Sequence, residues 1–174
     1  MKNLVLFGFM GCGKSTVGAL LAEKTGYSCL DTDDFLEQTY DKEIPQIFAE
    51  EGEDAFRDKE TEICRVLSGK KNLVICCGGG TVLREENARA LSENSHMIFL
   101  DIPFDEAYRR IQSSDRPLVR NNTKEGLQAI FASRHPIYQS RAHLTVDAAQ
   151  SPEQVVKAIL RRTKQNNHNK IYKE

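Results

Sequence analysis

The chain has no tryptophan, only five prolines, and no apolar stretch approaching the ~20 residues of a membrane-spanning helix. It lacks an excess of either charge: the net charge is −1 over 174 residues, so no global basic field exists to capture nucleic acid. Its five cysteines (Cys12, Cys29, Cys64, Cys76 and Cys77) are odd in number and include no C-x-x-C pair. That usage excludes a disulfide framework and a zinc site, and fits reduced thiols packed as small hydrophobes. The four histidines, His96, His135, His143 and His168, show no ligand spacing and are expected at the surface or in loops. Arg161, Arg162 and Lys164 read as the solvated face of a terminal helix, not an RNA patch. The opening "MKNLVLFGFMGC" has the outline of a short lipoprotein leader, but Gly8 and Gly11 interrupt it and cleavage would destroy the motif described next. The expectation is a cytoplasmic protein with no membrane or nucleic-acid partner.

What is present begins with "GFMGCGKST" at residues 8–16, a match to G-x-x-x-x-G-K-[ST]. Gly8, Gly11 and Gly13 let backbone N–H groups turn inward around phosphates without obstruction by side chains. Cys12 keeps the loop small, Lys14 supplies a point charge for the β- and γ-phosphates, and the Ser15 hydroxyl is placed for Mg²⁺. The apolar run Leu4–Phe7 before it reads as a strand, and Ser15–Lys24 after it as an amphipathic helix. A nucleoside triphosphate is therefore expected at a helix N-terminus. The loop does not reveal the phosphate acceptor.

Strand-like runs at 27–33, 73–77, 97–102 and 143–148 alternate with helical patterns at about 34–40, 44–50, 53–68, 85–93, 104–112, up to Tyr138, and from Pro152 onward. Alternation of this kind predicts a three-layer αβα fold with a parallel sheet, ligands lying at the C-terminal strand ends. A single domain over residues 1–165 is expected, with a flexible tail at 166–174. The polar segment 113–126 is too long for an ordinary connection.

Candidate acceptor-site residues follow the strand-like runs. Asp31 and Asp33 close the second one, where alternation would send both carboxylates to one side; helix capping by Asp33 or Asp34 is the plainer use. Arg57 and Glu60 are spaced i and i+3 on a helix, as a guanidinium stiffened for a planar anion or as an ordinary surface pair. Arg134 is a second cation, with Tyr138 one turn on to pack against it. Gly78, Gly79 and Gly80 follow a buried strand, where a bare turn seldom needs three glycines. They also replace the Asp usual at the end of that strand, leaving Asp31 as the water-mediated metal contact.

Taken together, GxxGxGKSTxG, D-x-D, F-R-x-x-E, GGG, R-P-L and R-x-P-x-Y resemble shikimate kinase, over about residues 2–161. The resemblance implies a P-loop fold like that of the nucleoside monophosphate kinases, with a five-stranded parallel sheet, a substrate region at about 33–62 and a lid at 113–126. It implies transfer of the γ-phosphate of ATP, with Mg²⁺, to the 3-hydroxyl of shikimate in aromatic amino-acid biosynthesis; nothing in the sequence suggests an obligate interface, so a monomer is expected. By position, Asp33 would contact the shikimate hydroxyls as base or orienter. Arg57 and Arg134 would clamp the carboxylate, with Glu60 and Gly78–Gly80 beside them. Gly11, Cys12, Gly13, Lys14, Ser15 and Thr16 would hold the nucleotide, with Arg116 from the lid and Arg109 and Pro152 near the adenine. Arg110 could exchange roles with Arg109. Ser15 and Asp31 would serve the metal.

A gluconate kinase shares the chemistry of a hydroxylated carboxylate, but the D-x-D with F-R-x-x-E argues against it. An adenylate or cytidylate kinase would need more arginines around two sets of phosphates. A nucleotide-dependent switch would leave Arg57, Arg134 and the lid without a common purpose.

Overall fold

The computed structural model describes the backbone of residues 2–171 and the side chains of residues 2–164. Three near-continuous apolar runs form its centre: β1 (Asn3–Phe7), β3 (Leu73–Cys76) and β4 (Ser95–Asp101). Such runs suit strands covered by helices on both faces. The edge strands β2 (Ser28–Asp31) and β5 (Leu144–Asp147) are more exposed. All five run parallel in the order β2-β3-β1-β4-β5.

The helices are α1 (Lys14–Thr25), α2 (Thr32–Tyr40), α3 (Ile44–Ser68), α4 (Glu85–Ser92), α5 (Phe104–Ile111), α6 (Pro117–Arg120), α7 (Lys124–Arg141) and α8 (Pro152–Ile171). A 3-10 turn, Thr81–Leu83, precedes α4. The expected three-layer αβα arrangement is present, with α1 and α8 packed together and α3 against α4. Strand β1 connects to β2 and its neighbour β3 connects to β4, so their crossovers leave in opposite directions. Right-handed crossovers then place the two connections on opposite faces, opening a crevice beyond the carboxyl ends of β1 and β3.

Most expected elements lie within a few residues of their predicted bounds. The separate helices expected at 44–50 and 53–68 are the two arms of α3, broken at Gly52 (φ 86°, ψ 176°). Segment 113–126 contains one helical turn, α6, opened by Pro117, and ends where Thr123 accepts from the Gly126 N–H to cap α7. Helix α8 continues to Ile171, past the residue 165 boundary; the rest of the expected tail, 172–174, lies outside the described residues. Among the described residues no helix is long and apolar enough to cross a membrane.

Two histidines depart from the expected loop or surface placement. His96 is half-buried in β4. His135, on α7, packs against the rings of Phe99 and Phe131 and bonds through Nε2 to Asp101 Oδ1 at 2.9 Å. The aromatic neighbours and the carboxylate explain how a polar ring is accommodated there. His143 is exposed just before β5, as expected, and the side chain of His168 lies outside the described residues.

Candidate active site

The loop between β1 and α1 is shaped by glycine at the positions where the chain turns tightest. Gly11 has φ +83°, and a Cβ there would stand 2.9 Å from the Ala107 carbonyl oxygen of α5. Gly13 caps α1 with φ +90°, a left-handed conformation that side chains disfavour. The first turn of α1 carries no acidic residue, so its N–H groups and positive dipole end are left for an anion. Lys14 Nζ lies over the loop, donating to Gly8 O at 2.9 Å and Phe9 O at 3.4 Å. It also approaches Cys12 Sγ at 3.6 Å, and that small side chain is 1% exposed beneath the loop.

The second strand ends earlier than expected. β2 stops at Asp31, which is the N-cap of α2: its Oδ1 accepts from the Asp33 N–H at 2.8 Å. Asp33 is thus in the first helical turn, and strand alternation is not what brings the two carboxylates together. The capping role falls to Asp31, not to Asp33 or Asp34. Burial, then the charges of Asp31 and Glu60, push the Asp33 carboxyl up to about 6, with Lys14 acting in the opposite sense. Asp31 is also raised, first by burial.

The surroundings of the turn after β3 account for two of its three glycines. A Cβ on Gly78 would stand 2.5 Å from Asp33 Oδ1, and one on Gly80 would stand 3.0 Å from Arg57 Nη1. From Gly79 it would face Arg134 Nη1 at 3.8 Å. The turn is held by the Gly78 N–H donating to Thr32 Oγ1 at 2.8 Å and by Tyr138 Oη donating to Gly79 O at 2.6 Å. None of the three has a left-handed φ. Space for Asp33 and Arg57 is the reason for glycine at positions 78 and 80, whereas a Cβ on Gly79 would make only an ordinary contact with Arg134.

Arg57 is not an ordinary surface pair. Its Nη1 donates to Glu60 Oε2 at 3.0 Å, and the Glu60 side chain is only 3% exposed. Thr81 donates to the other oxygen, Glu60 Oε1, at 2.8 Å, and Thr81 is itself held through its carbonyl by Asn87. The guanidinium also lies 5.1 Å from the centre of the Phe56 ring. A buried carboxylate saturated in this way fixes the direction of the arginine.

One cavity of about 890 Å³ gathers most of the predicted residues: Gly11–Thr16, Asp31, Asp33, Gly78–Gly80, Arg116, Arg134 and Pro152. Arg57 and Glu60 do not line it, although Arg57 adjoins it across Gly80. Of the two arginines of α5, Arg110 is in the wall, donating to Gly11 O at 3.2 Å and Ala148 O at 3.4 Å. Arg109 is outside it and paired with Glu106 at 2.7 Å in solvent. Of the two exchangeable arginines, it is Arg110 that shares the cavity wall with Pro152. The structure adds Asp34 and Leu118 to the wall, and Thr81 and Phe56 to the support of Arg57.

The chain matches the shikimate kinase family over residues 10–164. It belongs to that family. The shikimate kinase of Persephonella marina is 42% identical over 163 residues, covering 93% of this chain and 99% of that protein. A shikimate kinase from Acinetobacter baumannii, solved in complex with shikimate, superposes with a TM-score of 0.87 at 34% identity. That superposition covers 95% of this chain and 94% of the other. A gluconokinase from Sinorhizobium meliloti shares the fold alone, at a TM-score of 0.58, 17% identity and 97% coverage of each chain. The chain is a kinase of the shikimate kinase family, with the phosphate loop, Asp33 and Arg134 lining one cavity and Arg57 adjoining it.

Proposed function

We propose that the chain transfers the γ-phosphoryl group of ATP to the 3-hydroxyl of shikimate, giving shikimate 3-phosphate for aromatic amino-acid biosynthesis. The reading extends to a cytoplasmic monomer, one kinase domain over residues 1–165, with acceptor binding at about 33–62 and a lid at 113–126. The observation that supports it is the Gly78–Gly80 turn, a point beside the phosphate loop against which Asp33, Arg134 and Arg57 stand at successive residues. A hydroxylated carboxylic acid meets both demands of that point: cations for its carboxylate and a carboxylate for its hydroxyl.

In this reading Arg57 and Arg134 hold the acid, and Arg57 is aimed by Glu60. Asp33 accepts a hydrogen bond from the attacking hydroxyl and takes its proton as the bond to phosphorus forms. Its raised pKa, about 6, leaves it ionised at neutral pH and basic enough to receive that proton. Lys14 and the α1 N-terminus bind the phosphates, and Arg116 brings further charge from the lid. Arg110 and Pro152 border the adenine.

The residues suit Mg²⁺ as a companion of the nucleotide. Among the described residues no cluster of three or more His, Cys, Asp or Glu could hold a metal alone, yet Ser15 and Asp31 share the cavity with the phosphate loop. Mg²⁺ keeps waters and is commonly held by one or two side chains plus phosphates. Ser15 would ligate it and Asp31 would reach it through water; when bound it neutralises charge on the β- and γ-oxygens.

ADP release tests the assignment. It should appear with ATP and shikimate and stay near background with gluconate, AMP, CMP or ATP alone. Equal release with gluconate, or release independent of any acceptor, would overturn it.

A further inference from the structure

Outside the catalytic crevice, two thiols form a pair that phosphotransfer does not use. Cys29 Sγ on β2 and Cys76 Sγ on β3 lie 4.0 Å apart. Cys29 is level with Val74, and Cys76 with Asp31, so the two cysteines are diagonal neighbours on one face of adjacent parallel strands. β2 is the sheet edge and Cys29 is exposed, which gives the pair a route to solvent. Cys76 is buried, and its thiol donates to the Lys14 carbonyl at 3.3 Å, in the first turn of α1. Gly18 of α1 leaves the space both sulfurs occupy: a Cβ there would meet Cys76 Sγ at 2.4 Å and Cys29 Sγ at 3.2 Å.

We propose that Cys29 and Cys76 form a binding site for a soft monovalent cation, Cu(I), directly behind the phosphate-loop helix. The diagonal register places the Cα atoms roughly 8 Å apart, beyond the ~7 Å that a disulfide spans. A metal bridge has no such restriction. Two-coordinate Cu(I) holds its thiolates in a near-linear S–metal–S arrangement, so the two sulfurs, 4.0 Å apart before loading, separate slightly as the ion enters between them. Among the described residues no third Cys, His or carboxylate completes a cluster. That disfavours Zn²⁺, which takes four ligands, and selects the thiophilic Cu(I), which accepts fewer.

The binding step involves no redox change. Cu(I) replaces one proton on each thiol, giving a bis-thiolate of charge −1 and two protons released to buffer. The Lys14 carbonyl loses its thiol donor, and the metal enters beside the two sulfurs already packed against Gly18. Loading is therefore coupled to the α1 N-terminus that receives the nucleotide.

Anaerobic titration of the intact chain with Cu(I), against bicinchoninate as competing chelator, tests the site. One Cu(I) per chain should be retained, with two sulfur neighbours by X-ray absorption. Binding of a fluorescent ATP analogue should weaken about tenfold on loading and recover when excess chelator removes the metal. Cys29→Ser, a change at an exposed position, should keep the metal-free nucleotide affinity and lose both the stoichiometric Cu(I) and the weakening. Cys64→Ala should retain both. No uptake by the parent chain, or uptake that survives Cys29→Ser, would overturn the proposal; neither readout depends on which acid is phosphorylated.

Discussion

Gly78 and Asp33 stand so close that a single methyl group between them would fall 2.5 Å from the Asp33 Oδ1 atom. The contact joins the turn after β3 to the first turn of α2, and fixes where a base can sit relative to the phosphate loop. Gly78→Ala must move either the carboxylate or the turn. It is expected to lower kcat by about tenfold or more while leaving ATP binding nearly unchanged. Steady-state kinetics alongside nucleotide titration separates the two; normal turnover in this variant would mean that Asp33 needs no such placement.

Asp33→Asn should lower kcat about 10²-fold, because the amide cannot accept the proton of the attacking hydroxyl. The same change carries a stability signature. The native carboxyl titrates near 6, above the ordinary value of 3.8. Between those values the folded chain binds a proton that the unfolded chain does not. Its stabilising contribution is full below about pH 4 and lost as pH rises through about 6. Asn never ionises, so the variant should match the parent at pH 4 and be more stable at pH 8, by roughly 1–2 kcal/mol after solvent screening. Denaturant unfolding at both pH values checks the sign; a variant less stable at pH 8 would contradict the burial argument. In the parent, kcat/KM for the acid should fall as pH drops below about 6.

Arg57→Lys keeps the charge and loses the planar fork. A loss of about 2–3 kcal/mol in kcat/KM for shikimate is expected, with the KM for ATP unchanged. Thr81→Val should act in the same direction but more weakly, by freeing one oxygen of the buried Glu60 that aims Arg57. If both variants lose thermal stability with normal kinetics, the pair is structural only.

How much of this was legible in the sequence depends on what each residue needs. The phosphate loop was readable because its glycines answer to a local backbone requirement that one segment states in full. The glycine turn was readable as a site, but not its cause, since the side chains it makes room for come from α2 and α3. The Asp31/Asp33 pair shares the cavity lining, but not through strand alternation: an Asp ending a strand is equally a helix cap, and only the chain path decides. The choice between Arg109 and Arg110 could have been narrowed. Phe104, Ala107 and Ile111 mark the buried face of α5, and Arg110 borders that face while Arg109 lies opposite. Thr81 and Asn87 carried no signal, because a buried polar contact between distant segments has no periodicity.

The proposed lid, residues 113–126, supplies a further test. Arg116 caps α6 and lines the cavity with Leu118, on a segment joined to the body through α5 and α7. Arg116→Ala is expected to depress kcat by roughly 10²- to 10³-fold with the melting temperature of the ligand-free chain unchanged. Proteolysis within 113–126 should slow when nucleotide and shikimate are both bound. Equal cleavage with and without ligands, together with an active variant, would make the segment a surface connection.

The central claim is that the γ-phosphoryl group is delivered to one particular hydroxyl of one acid. Phosphorus–proton correlation NMR of the product from ATP and shikimate addresses it most directly. The account predicts a single phosphate ester whose phosphorus couples to the proton on carbon 3, formed in equal amount to ADP. A phosphate on another hydroxyl, a mixture of esters, or free phosphate in place of the ester would contradict it.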